Sequence, residues 1–234
     1  MYQKNKLCSI FAWGSKCKIE QNTENTTIKV LLSFGTIGIT AAEQQMIMVA
    51  NLAASVLGKS GNTAALLKKE REIIAVTVAL GEIGKAAAKV EYPDVSGNTA
   101  ICISCLGEIG KLTAQKTLEE AAVVVELILE EMAVTAMQEN LQNAVGSIVN
   151  SIEEIGKSAE DEKMENAVLQ AASALQTIMS SSGDRYLNDA SIAAKVALES
   201  FNELDIINDE ANIKKIEGIR EMMKAFRADN EAKK

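Results

Sequence analysis

Apolar residues recur along this chain at spacings of three and four, the period of a helix with one buried stripe. The stripe is itself repeated. Short phrases mark it: Phe34-Gly-Thr-Ile-Gly38, Leu57-Gly-Lys-Ser-Gly61, Leu80-Gly-Glu-Ile-Gly84, Leu106-Gly-Glu-Ile-Gly110, Leu129-Glu-Glu-Met-Ala133, Ile152-Glu-Glu-Ile-Gly156, Leu175-Gln-Thr-Ile-Met179 and Leu198-Glu-Ser-Phe-Asn202. Their first residues lie 23 apart at every step except that from 80 to 106, which is 26. We number positions from that first residue. Position −4 holds Val76, Cys102, Val125, Ile148, Ala171 and Ala194, and position +3 holds Ile83, Ile109, Met132, Ile155, Ile178 and Phe201. Ile73, Thr99, Ala122, Val145, Val168 and Ser191 fill position −7.

A unit of 23 residues accommodates one helix of about 16 to 18 residues plus a turn, in preference to two very short helices. Turn-forming residues fall at Gly61-Asn62, Pro93 to Gly97, Ser180 to Asp184 and Asn208-Asp209. The three extra residues of the long step fit a loop at Glu91-Tyr92-Pro93, and Asn143, Asn166 and Asp189 are candidate N-caps. Short connections make neighbouring helices antiparallel, so two units form a hairpin. Eight units and a degenerate ninth, in which Ile213, Ile216, Ile219, Met222, Met223 and Phe226 continue the stripe, predict about nine helices. The expected organisation is a basic leader or N-terminal cap over 1–21, a helical repeat domain over 22–228 and a charged tail over 229–234.

Composition agrees with an all-α chain, since aromatics are 3% and Pro93 is the single proline. Leu80-Gly-Glu-Ile-Gly84 and Leu106-Gly-Glu-Ile-Gly110 resemble the Leu-Gly-x-Ile-Gly signature of HEAT-like α-solenoids. That resemblance implies stacked hairpins forming a curved scaffold that binds proteins, rarely an enzyme. The chain departs from it in lacking an Asp-Pro turn and the family's arginine, and in its 23-residue unit. An up-and-down helical bundle is the alternative architecture.

The absence of histidine excludes Ser-His-Asp and Cys-His nucleophile systems and His-containing zinc sites. No cofactor or metal is expected. Cys102 and Cys105 form a C-x-x-C pair, but both fall in apolar columns and read as small core side chains. Gly58-Lys59-Ser60 ends like a phosphate loop, yet Ala53 stands where that pattern needs its first glycine. The paired glycines more simply allow close helix approach or end helices.

Glu82, Glu108, Glu131 and Glu154 recur at position +2, and Lys85, Lys111 and Lys157 are spaced to pair with Glu82, Glu108 and Glu154 within their helices. These four glutamates are the candidate partner-binding surface. With one helix per unit the ladder splits into Glu82 with Glu131 and Glu108 with Glu154, at opposite ends. The net charge of −8 argues against nucleic acid and for a basic protein partner. The lysines of the leader, Lys4, Lys6, Lys16 and Lys18, sit beside Leu7 to Trp13 and offer the one plausible membrane contact, through residues 1–20. The apolar runs Val30 to Ala42, Met46 to Gly58 and Ala121 to Met137 are shorter than the about 20 residues a spanning helix needs. These features predict a non-enzymatic, cytoplasmic protein-binding scaffold; a membrane-associated or self-assembling structural protein is the alternative. The apolar first unit offers a surface for oligomerisation.

Overall fold

The structure is a computed structural model that describes the backbone of residues 4–90, 97–183, 187–201 and 210–231, and the side chains of 23–90, 97–182, 187–201 and 212–228. Its described residues form nine helices and no strand: α1 (Lys4–Glu43), α2 (Ile47–Leu66), α3 (Glu70–Ala88), α4 (Asn98–Gln115), α5 (Glu119–Gln138), α6 (Gln142–Asp161), α7 (Glu165–Gly183), α8 (Asn188–Glu199) and α9 (Glu210–Glu231). One helix therefore occupies each 23-residue unit. Helix α1 runs across the boundary expected at residue 21, and α9 reaches into the expected tail.

From α1 to α8 each helix packs on the next and on the next but one. The odd-numbered helices thus make one layer and the even-numbered helices the other, which is a stack of hairpins rather than a closed bundle. The layers meet along the repeated stripe: Val76, Leu80 and Ile83, then Cys102, Leu106 and Ile109, then Val125, Leu129 and Met132 are all buried. Full burial of such side chains contributes about 1.5–3 kcal/mol each, so the columns dominate the stability of the stack.

The turns are repeated too. Gln45, Lys68, Thr117, Asn140 and Lys163 all adopt left-handed backbone with φ between 56° and 59°. Around each, two amides turn back onto the helix just ended: Leu118 N–H donates to Thr113 and Thr117 N–H to Ala114, the pattern that satisfies terminal carbonyls. The following residue starts the next helix, and there the expected polar caps are corrected. Leu118, Leu141 and Leu187 hold the N-cap positions with no capping side chain. Each is buried at the base of its hairpin, so sealing the core outweighs a side-chain cap. Asn143, Asn166 and Asp189 lie inside the helices.

The turn expected at Gly61-Asn62 is also corrected, because both residues are within α2. The glycines of the phrases are seats for the next hairpin. Ile83 of α3 lies over Gly38 of α1, Cys105 of α4 over Gly58 of α2, and Ile128 and Met132 of α5 over Gly81 and Gly84 of α3. A Cβ on Gly35 would stand 2.8 Å from the Ala79 Cβ, closer than two carbons pack without backbone movement. Position +4 is accordingly glycine or alanine in every helix from α1 to α6, each of which receives a following hairpin, whereas +1 is glycine in α1 to α4 and glutamate, Glu130 and Glu153, in α5 and α6. The expected loop at Pro93 and the turn at Asn208-Asp209 lie outside the described residues.

Candidate protein-binding face

The stacking register decides where the four glutamates go. A residue at +5 in one helix meets a residue at +2 two helices later. Lys85 of α3 reaches Glu131 of α5 at 2.9 Å, Asn62 of α2 donates to Glu108 of α4 at 3.0 Å, and Lys111 of α4 meets Glu154 of α6 at 3.3 Å. Of the expected pairs within a helix, Lys85 with Glu82 is made, at 2.8 Å. Lys111 turns to Glu154 and Lys157 to Glu153 instead. The ladder accordingly splits as its periodicity implies. Lys85 ties Glu82 to Glu131 in the odd layer, while the exposed Glu108 and Glu154 belong to the even layer.

Helix α9 separates the two halves chemically. It leaves the register of the stack and lies on α5 and α7 of the odd layer, so it is not a ninth stacked unit. Ile216, Ile219 and Met223 are buried against that surface. Around them, Lys215 meets Glu119 at 3.1 Å, Arg220 meets Glu130 at 3.2 Å, and Arg227 makes a two-pronged contact with Glu131. The same guanidinium lies 3.5 Å from Glu82. Lys215, Arg220 and Arg227 thus run parallel to Glu119, Glu130 and Glu131 along α5. A cavity of about 260 Å³ lies between the helices, lined by Leu127 and Val134 of α5 and Met223 of α9 among others.

Burial pushes the Glu131 carboxyl up, but hydrogen bonds from Arg227 and Lys85 bring it below its ordinary value of 4.5. Glu119 behaves alike: burial raises it, and Asn166, through its side chain and backbone N–H, together with Lys215 lowers it. Both are held ionised against the cations of α9. Glu119 and Glu130 escaped the sequence reading because they lie outside the +2 column. The available signal was in α9, where residues 214–227 carry five cations, Lys214, Lys215, Arg220, Lys224 and Arg227, against Glu217 and Glu221.

The remaining candidates resolve structurally. Cys102 is buried in the core, while Cys105 is partly buried over Gly58. Burial, then the nearby Glu108 charge, pushes the Cys105 thiol above its ordinary value, away from the reactive thiolate. Gly58-Lys59-Ser60 is mid-helix, with the Ser60 hydroxyl donating to Val56 at 2.9 Å. Cys8, Cys17 and the lysines of residues 1–20 lie outside the described side chains. Among the described residues, no helix is long and apolar enough to cross a membrane.

No family model and no curated protein matches the chain. Among solved structures, a chain of the "DHF46 filament" is similar to it over 75% of this chain and 95% of that one, at a TM-score of 0.58 and 15% identity. That likeness concerns the all-helical fold.

Proposed function

We propose that the chain is a non-enzymatic, HEAT-like scaffold whose odd-layer face binds a basic amphipathic helix of a partner protein, α9 being the resident occupant. The observation that carries this reading is the matched row of charges: Glu119, Glu130, Glu131 and Glu82 on the scaffold against Lys215, Arg220 and Arg227 on α9. Between the rows, Ile216, Ile219 and Met223 supply the apolar anchors of a helix laid in a groove. A partner helix with cations and apolar residues at those spacings satisfies the same contacts. Complementary charge also speeds and orients the encounter. Cys102, buried in the core, and Cys105, partly buried over Gly58, fit a reducing, cytoplasmic setting.

Affinity capture from native lysate tests this reading. The baits are the full chain and a Lys215→Ala, Arg220→Ala, Arg227→Ala variant, whose resident helix is weakened. The expected result is a basic helical protein retained more strongly by the variant, lost at high salt and lost on adding Glu130→Lys and Glu131→Lys. Retention indifferent to the two glutamate substitutions contradicts it.

A further inference from the structure

We propose that the α1–α2 edge of the stack joins a second copy of this chain, edge to edge about a two-fold axis. This edge is distinct from the face that α9 occupies. At every interior junction of the odd layer, positions −4, 0 and +3 are buried. Val76, Leu80 and Ile83 are each 0% exposed, whereas their α1 counterparts Val30, Phe34 and Ile37 are 50%, 37% and 51% exposed. Helix α2 extends the same edge with Met48 at 81% and Leu52 at 67%. Those two positions are polar in α6, as Asn143 and Ser147. Interior contacts show which way they point: Asp189 and Gln170, at the Met48 and Leu52 positions of their own units, bond back to Gln142 and Glu130 of the helix two before. The edge is therefore the surface that elsewhere receives the preceding hairpin; its centre is apolar, with Lys29 and Ser33 exposed where α3 buries Ala75 and Ala79.

Its chemistry suits a copy of itself. The edge carries Lys29 at one margin, and from Val30 to Gly58 the sole charged residue is Glu43, so two such edges meet with little like-charge repulsion in spite of the net charge of −8. Charge depletion with Phe and Met enrichment is the composition of interface cores. Head-to-tail growth is disfavoured by the other end. There position +4 of α7 is Met179, where every helix from α1 to α6 holds glycine or Ala133, so a following hairpin meets a long side chain in place of a seat. What remains is an isologous contact, the same patch on both copies. The stripe Val30, Phe34, Ile37 is nearly symmetric about Phe34, so antiparallel α1 helices bring Phe34 against its own copy.

Analytical ultracentrifugation of the full chain over a concentration series tests this. A monomer–dimer equilibrium with no larger species is expected. Phe34→Glu and Phe34→Lys should each weaken the dimer at least about tenfold with helical circular dichroism unchanged, and mixing the two should restore it. Should Phe34→Glu lose its helical signal, Ile37→Glu and Ile37→Lys at the more exposed position replace that pair, with the same outcomes. A wild type that stays monomeric, open-ended growth, a dimer that survives either substitution, or a mixture that fails to reassociate overturns the proposal.

Discussion

Arg227 grips Glu131 with both prongs of its guanidinium, Nη1 donating to Oε1 at 2.9 Å and Nη2 to Oε2 at 2.7 Å. This geometry joins the last helix to the middle of the stack, and a planar fork on a carboxylate is the strongest form such a contact takes. Lys85 reaches the same carboxylate from α3. One glutamate thus connects three helices, and changing it should have a measurable pH signature.

With Glu131 held below its ordinary value of 4.5 in the folded chain, its contribution is fully present above that value and is lost as pH falls through the lowered folded value. Wild type should be more stable than Glu131→Gln by about 1 kcal/mol at pH 7, allowing for the partial exposure of the pair. That advantage should shrink as pH falls below 4.5. Paired thermal melts across pH 3 to 7 check it, and a difference independent of pH would contradict the assignment.

Glu126 should behave with the opposite sign. It is fully buried in α5, neither carboxylate oxygen has a hydrogen-bond partner, and burial pushes its carboxyl well above the ordinary value. The folded chain therefore binds a proton that the unfolded chain releases near neutrality, so the cost grows as pH rises above 4.5. The same position holds Ile103 in α4 and Leu31 in α1. Glu126→Leu should gain about 2 kcal/mol at pH 7, with the gain shrinking toward pH 4. Urea unfolding at the two pH values measures both.

Two glycines should respond oppositely to the same substitution. A Cβ on Gly156 would lie 2.6 Å from the Phe201 ring and 2.8 Å from the Ala171 Cβ, whereas one on Gly146 meets nothing within 4 Å. Gly156→Ala should cost about 1–3 kcal/mol through overpacking. Gly146→Ala should gain about 0.5–1 kcal/mol through helix propensity. Denaturant midpoints of the two variants decide, and equal signs would contradict the glycine seats.

Much of this architecture was legible because the stripe is redundant: Val76, Cys102, Val125 and Ile148 occupy one column and all are buried. The misreadings have local causes. Gly61-Asn62 has the composition of a turn, but the close approach of Ile109 requires a small residue inside α2. Asn143 and Asp189 have the chemistry of caps, yet Leu141 and Leu187 hold those positions because each seals the core. Lys111 faces two possible glutamates, and the offset between stacked hairpins, which periodicity alone does not give, selects Glu154 over Glu108. Helix α9 was the least legible. Its stripe of Ile216, Ile219 and Met223 announces a buried face without saying which groove receives it, and only its positive charge pointed to the acidic side of α5.

The most direct measurement of the binding face is titration of a labelled peptide of residues 210–231 into the full chain carrying Lys215→Ala, Arg220→Ala and Arg227→Ala. We expect saturable binding that weakens steeply with salt, at least about tenfold weaker binding to wild type, whose intact α9 competes, and loss of binding when Glu130→Lys and Glu131→Lys are added. Equal binding to wild type and variant, or binding that survives the two glutamate substitutions, would contradict an acidic groove built for a basic helix.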